Sequence, residues 1–286
     1  MSHPYFFISR QIAEQNVGQT AENTLNTADK EGPEEIELSG KDFHHLVRVL
    51  RAVRGDIVEL SDNHSSRFIT EIAQLEKDRT ILTVKEIKKI SKKIPEVFLF
   101  QSILKKEAME LAIQKTAEIG IDAIVPVISS RIVAKIDKNG AGVKVKRWQQ
   151  IAAEASKQCK RDFECRVLDP VPVKDIDAGS YDLFFAPVET TPLLQAADAG
   201  GNKNISSGII KIENIDRVFN SASILRIKKM AYIIGPEGGF EQNEVDMLNS
   251  KGVVLINFGS NILRAETAAV YFLSVLDYLI KKAAGS

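Results

Sequence analysis

Ile234-Gly235-Pro236-Glu237-Gly238-Gly239-Phe240 and, a short helix and strand later, Phe258-Gly259-Ser260-Asn261-Ile262-Leu263-Arg264-Ala265-Glu266-Thr267 decide how this chain is read. Each stretch follows a short apolar segment, Met230–Ile234 in the first case and Val253–Asn257 in the second. Glycines at such exits let backbone amides and carbonyls approach a ligand closely. Ligands of open parallel sheets bind at the loops leaving the carboxyl ends of strands. Neither stretch is a GxGxxG turn or a Walker A loop, so a dinucleotide or nucleoside-triphosphate phosphate is not the expected ligand. Taken singly, each is as readily a tight strand-to-helix connection. Two in succession point to a backbone-lined pocket.

Working outward, the chain after Pro95 alternates strands and helices. Val97–Gln101, Ala123–Ile128, Asp182–Ala186, Met230–Ile234 and Val253–Asn257 read as strands. Lys105–Ile119 reads as a helix with Ala108, Leu111, Ala112 and Ile119 inward, stopped by Gly120. Lys146–Cys159 carries Trp148, Ile151, Ala152, Ala155 and Cys159 on one stripe, and Gln242–Asn249 is a further helix. Ala199–Ser223 is a polar insertion. This alternation predicts an α/β domain with a mostly parallel sheet and helices on its faces. The last helix, Thr267–Lys282, is apolar almost all round, which requires burial on every side; a homodimer interface supplies the missing cover.

The first ninety residues differ. Tyr5–Ile8, Glu34–Leu38, Asp56–Leu60, Arg67–Ile72 and Thr80–Ile87 are strand-like, and the polar Gln11–Gly32 stretch reads as a surface loop. One helix intervenes, with Ser39 and Asp42 in a capping-box pattern and Phe43, Leu46, Val47 and Leu50 on one face. Short strands plus one helix predict a small β-barrel of a kind that often binds oligonucleotides. The basic run Lys85–Lys93, as readily a solvated linker as an RNA contact, places the boundary between domains 1–92 and 93–286.

Lys and Arg (38) balance Asp and Glu (38), so an RNA partner would have to be recognised by a local basic patch rather than by net charge. Cys159 and Cys165 lack CxxC spacing and the four histidines are scattered, so no metal or disulfide is expected. No stretch approaches a transmembrane span or a secretory signal, which predicts a cytoplasmic protein without a membrane partner.

The pair IGPEGGF (234–240) and FGSNILRAETA (258–268) resembles the C-terminal motifs of the SPOUT superfamily of methyltransferases. Within it, the chain is most similar to the family that methylates N3 of a uridine in 16S ribosomal RNA. FHHLVRVLRAVRGD (43–56), KKEAMELAIQKTAEIGIDAIVPVISSR (105–131) and RWQQIAAEASKQCKR (147–161) match further segments in order and spacing. The resemblance implies a trefoil-knotted SPOUT domain, an N-terminal PUA-like β-barrel, an obligate dimer and S-adenosylmethionine as cofactor. It places the cofactor against Ile234, Gly235, Glu237, Gly238 and Gly239. Ile262 and Leu263 would lie beneath the adenine, with Phe258 and Ile262 reading its edge through their backbones. Gly259 and Thr267 complete that loop, and Val188 and Glu189 match a third. Asn261 departs from the pattern, which has a basic residue there.

A methyl donor that is already activated leaves the protein two tasks, alignment of N3 and removal of its proton. Arg264 suits a catalytic role, because a guanidinium beside O2 or O4 stabilises the charge of the deprotonating uridine. It is as readily a partner of Glu266 or Glu237 that holds the loop. Those two are the nearby carboxylates available as base, and each also suits helix capping or loop closure. Arg48, Arg51 and Arg54, spaced three apart, suit phosphates. Arg10, Lys105, Arg131 and Arg161, with Arg147 and Gln158, extend this RNA track. The expected partner is 16S ribosomal RNA within the 30S subunit. The alternatives are a methylase of transfer RNA and a non-catalytic RNA-binding protein of ribosome assembly.

Overall fold

The structure, a computed structural model, describes residues 3–9, 34–132, 138–189, 209–219 and 226–284. The expectations for Arg10, for the Gln11–Gly32 loop and for most of the Ala199–Ser223 insertion fall outside these residues. The chain divides into two compact units, residues 1–92 with 157–164, and residues 93–156 with 165–286.

In the first unit, β1 (Tyr5–Phe7), β2 (Glu35–Ser39), β3 (Ile57–Ser61), β4 (Ser66–Leu75) and β5 (Arg79–Lys89) form one sheet in the order β1-β3-β4-β5-β2. β1 lies parallel to β3 and the remaining pairs are antiparallel. Alternate residues turn inward, as period-2 patterning requires, so that Phe6, Ile36, Leu38, Val58, Leu60, Phe68, Ile72 and Leu82 share one core. Between β2 and β3 runs a short helix, α1 (Gly40–His44), continued by a π-turn over His45–Val49. Two details differ from the sequence pattern. Ser39 makes no side-chain cap, and the Asp42 carboxylate accepts a hydrogen bond from Lys157 Nζ at 2.8 Å rather than from the Ser39 backbone. Leu50, expected inward, is 45% exposed, because the π-turn rotates it off the apolar face.

The segment Lys157–Glu164 packs with this first unit although the sequence pattern joins it to the second. Tyr5 Oη donates to Arg161 O at 2.6 Å, and Ser61 Oγ to Asp162 O at 2.6 Å. Lys160 Nζ donates to Glu59 Oε1 at 2.7 Å, and Arg67 Nε to Glu59 Oε2 at 3.1 Å. Burial alone would raise the Glu59 carboxyl; the hydrogen bonds from Lys160 and Arg67 outweigh it and hold the group below its ordinary range.

In the second unit all strand pairings are parallel. β6 (Glu96–Ser102), β7 (Ala123–Ile128), β8 (Arg166–Val167), β10 (Leu183–Pro187), β11 (Ile210–Lys211), β12 (Lys229–Ile234) and β13 (Val254–Asn257) are ordered β11-β13-β10-β12-β6-β7-β8, with β9 (Val171–Pro172) also on β7. Helices cover both faces. On one, α2 (Lys106–Ile119), α3 (Lys138–Gln158) and α5 (Ala265–Ala283) enclose a core containing Leu99, Met109, Trp148, Tyr232 and Phe272. On the other, α4 (Gln242–Ser250) packs Val245 and Leu248 against Phe98, Val125, Ala186 and Ile233. The fully buried Tyr232 hydroxyl donates to Ala269 O at 3.0 Å, tying β12 to α5. α5 buries Phe272, Leu273 and Leu276 but leaves Tyr271 and Tyr278 38% and 62% exposed. Leu111 on α2, expected inward, is 44% exposed.

Candidate active site

Strand order assembles the site. β13, β10 and β12 are neighbours and parallel, so the chain leaves all three at one edge of the sheet. The residues expected to hold a cofactor lie on these exits: Val188 and Glu189 after β10, Gly235–Gly239 after the buried Ile234 of β12, and Phe258–Leu263 after β13. Thr267 sits, exposed, in the first turn of α5.

Gly235 is where two pieces of chain approach closely: a Cβ there would stand 3.3 Å from the Phe240 ring. The turn closes through Gly239 N–H donating to Pro236 O at 2.9 Å. Gly259 has φ +101°, a left-handed backbone that side chains rarely adopt, and its N–H donates to Asn257 Oδ1 at 2.9 Å. Asn257 Nδ2 faces Val188 O at 3.5 Å, so one side chain bridges two of the three loops. Its role escaped the sequence pattern, although an Asn one residue before Phe-Gly is a turn signal.

Beyond Gly259 the chain is exposed. Ile262 has 78% of its surface in solvent, and among the described residues the backbone groups of Ser260–Leu263 make no hydrogen bond within the protein. Exposed backbone donors and acceptors beside a bare apolar side chain are what a flat heterocycle needs: stacking from one side and edge recognition in its plane. Phe258 turns its ring the other way, 5.2 Å from Tyr271 and 5.5 Å from Phe272, which anchors the loop's base. Two glycine-bearing exits beside the Val188–Glu189 exit, with the backbone groups of Ser260–Leu263 unused, fit an adenosyl cofactor. Among the described residues no cluster suits a metal ion.

The charged candidates separate. Glu237 Oε1 accepts from Lys105 N–H at 3.0 Å, so this carboxylate caps the start of α2. Arg131, expected in the RNA track, donates from Nη1 to Gly238 O at 2.9 Å and stands 3.9 Å from Glu241, bracing the β12 exit. Arg147 is bidentate to Glu110 at 2.7 and 3.1 Å. Buried Glu244 accepts from Ser130 N–H at 2.8 Å and from Glu241 N–H at 2.9 Å, a capping box on α4 that the sequence pattern passed over. Arg264, exposed at the N-cap of α5, makes no ion pair with Glu237 or Glu266. Glu266 is half-buried in the first turn of α5. Lys105 is exposed beside Glu237; Arg48, Arg51 and Arg54 are exposed on the first unit, and Arg161 is half-buried there.

A parallel sheet ending in three adjacent strand-end loops, on a chain that also has a small β unit, defines a class once similarity is added. The RNA methyltransferase domain family matches residues 91–277, and the RNA methyltransferase PUA domain matches residues 38–85. A ribosomal RNA small subunit methyltransferase E of Bacillus subtilis is 28% identical over 244 residues, 85% of this chain and 90% of the relative. A second one, from Borreliella burgdorferi, is 30% identical over 249 residues, 86% of this chain and 92% of its own. The crystal structure of a ribosomal RNA small subunit methyltransferase E from Neisseria gonorrhoeae, bound to S-adenosyl methionine, shares the fold. It superposes with a TM-score of 0.72 at 21% identity, covering 97% of this chain and 98% of that one. This chain belongs to the ribosomal RNA small subunit methyltransferase E family of RNA methyltransferases.

Proposed function

We propose that this protein transfers the methyl group of S-adenosylmethionine to N3 of a uridine in 16S ribosomal RNA, with the assembled 30S subunit as substrate. The observation that carries the proposal is the exposed loop Ser260–Leu263, with free backbone groups and a bare Ile262, beside two further strand-end loops. When bound, the cofactor supplies an electrophilic methyl group on a sulfonium. Gly235, Gly238, Gly239 and Gly259 would hold it through backbone, with Val188, Glu189, Ile234, Phe258 and Thr267 around it, and Ile262 and Leu263 would be the apolar contacts for its adenine.

The protein's remaining tasks fall to side chains. Arg264 is uncommitted to either nearby carboxylate, which supports placing its guanidinium on a uracil carbonyl oxygen, where negative charge gathers as N3 loses its proton. Glu237 is spent on α2, so Glu266 is the carboxylate assigned to accept that proton. Arg48, Arg51, Arg54, Lys105 and Arg161, with Arg10, would follow the RNA backbone, and Arg131 would serve the cofactor loop.

Two features of the assembly belong to the same proposal. β13 lies between β10 and β11 although it follows both in sequence, which supports a knotted path. The exposed Tyr271 and Tyr278 of α5, with Leu111 on the adjoining α2, support a homodimer through that face. The proposed 30S substrate places the action where ribosomes assemble, in the cytoplasm; no helix among the described residues is long and apolar enough to cross a membrane. Incubation with methyl-labelled cofactor and either 30S subunits or naked 16S RNA, followed by mapping of the labelled nucleotide, tests the proposal. Label on a uridine N3 in 30S subunits is expected. Label on transfer RNA alone, on a ribose hydroxyl, or nowhere would overturn it.

A further inference from the structure

The first unit carries a surface feature that phosphate contacts alone do not use. After α1 the backbone tightens into the π-turn and then reverses: Leu50 N–H donates to His45 O at 3.0 Å and Ala52 N–H to Leu46 O at 3.1 Å, with Arg51 in between at φ +56°. π-turns and left-handed non-glycine residues concentrate where the surrounding structure enforces them for function. Here the enforcement is visible. Leu46 and Ala52 are buried in the core, while Asp56 Oδ2 accepts from Val53 N–H at 2.8 Å and Gly55 N–H donates to Ile72 O at 2.9 Å. Everything between these anchors is pushed outward. Val49, Leu50 and Val53 are 63%, 45% and 60% exposed, and Arg48, Arg51 and Arg54 alternate with them.

Three neighbouring aliphatic side chains held in water on a rigid turn are unfavourable unless a partner covers them. The chemistry of that partner is set by charge. The three guanidiniums make no ion pair among the described residues, so the complement of this patch is polyanionic as well as apolar. Paired A-form RNA offers phosphates but hides its base faces, whereas an unpaired stretch offers both. We infer that the 48–54 turn is a wedge for unpaired RNA, its aliphatic side chains covering the face of an unstacked nucleobase while its arginines neutralise the flanking phosphates. The inference rests on the RNA-substrate proposal above and narrows it to looped rather than duplex RNA at this site.

The test uses the full-length protein and two RNAs with equal numbers of phosphates, one a hairpin with a long unpaired loop and one fully paired. Affinities are measured by fluorescence anisotropy across a salt series. The double variant Val49→Ser/Val53→Ser should bind the looped RNA about tenfold more weakly, bind the duplex as before, and keep the salt dependence of the wild type. Arg54→Gln should weaken both RNAs and lower the salt slope by about one. Both serine positions are exposed, so the melting temperature should hold; should the double variant fail to fold, Leu50→Gln gives the same comparison. Equal affinity of wild type and variant for the looped RNA, or equal loss on both RNAs, overturns the wedge while leaving RNA binding in place. A loss seen with 30S subunits but not with looped RNA assigns the patch to a ribosomal protein and also overturns it. If the wild type binds neither RNA, the wedge falls, while the RNA-substrate proposal stands or falls separately with the labelling of 30S subunits.

Discussion

Arg264 and Gly259 stand at opposite ends of the same loop and call for opposite experiments. With no carboxylate partner at Glu237 or Glu266, Arg264 contributes nothing evident to the loop's shape. Arg264→Ala should therefore reduce methyl transfer by about 10²–10³-fold while calorimetry finds cofactor affinity changed by less than threefold. Loss of cofactor binding would instead make the residue part of the loop's framework. Gly259 is the reverse case. A side chain at φ +101° costs roughly 1–3 kcal/mol of backbone strain, and it would loosen the turn that Asn257 organises. Gly259→Ala should weaken cofactor binding about tenfold, the equivalent of 1.4 kcal/mol, and a variant that binds normally would show that this turn does not form the pocket. The glycines were legible in sequence because their residue type announces their conformation. Asn257 was not, since its use depends on Val188 arriving from a distant strand.

At the scale of elements, the segment Lys157–Glu164 carries the most testable chemistry. Glu59, 8% exposed, receives Lys160 and Arg67 together. Removing its charge leaves Lys160 without this partner and Arg67 with Asp162 alone, at 3.2 Å, so Glu59→Gln should lower stability by about 1–3 kcal/mol in urea unfolding at pH 7. The folded carboxyl titrates below its ordinary value of 4.5, so its stabilisation is present above that value and is lost as pH falls through the lower, folded one. Wild-type stability should drop more steeply than that of Glu59→Gln below about pH 4.5; parallel curves would remove Glu59 from the acid response. Tyr5 acts at the other end of the scale. Burial pushes its phenol up to about 12 from 10.0, so its contribution holds below pH 10 and disappears as pH rises to about 12. Tyr5→Phe should flatten the alkaline limb of the stability curve, and an unchanged limb would refute this assignment. Nothing in the sequence pattern separated Lys157–Glu164 from the helix before it, because helical periodicity runs on through Cys159. The two-residue strands β8, β9 and β11 were equally illegible, since so short a segment has no period.

For the whole molecule, the open question in the sequence was how an all-apolar last helix is covered. The structure covers part of it: α2 and β12 take Phe272, Leu273 and Leu276, and Tyr271 and Tyr278 stay in solvent. Under the proposed homodimer, sedimentation should find the wild type at twice the chain mass. Tyr278→Glu, which places a charge in that contact, should shift the protein to monomer with its melting behaviour otherwise preserved. A monomeric wild type would sink the dimer.

The two loops, their strands and the family they resemble followed from sequence alone, because glycine positions, alternating strand and helix periods and ordered motifs are local properties of the chain. The order β13-β10-β12 that sets three exits side by side belongs to the tertiary structure. So do the commitment of Glu237 to α2, the diversion of Arg131 to Gly238 and the eversion of the 48–54 turn. Each of these depends on which distant segments become neighbours, and no local spacing in the chain encodes a neighbour.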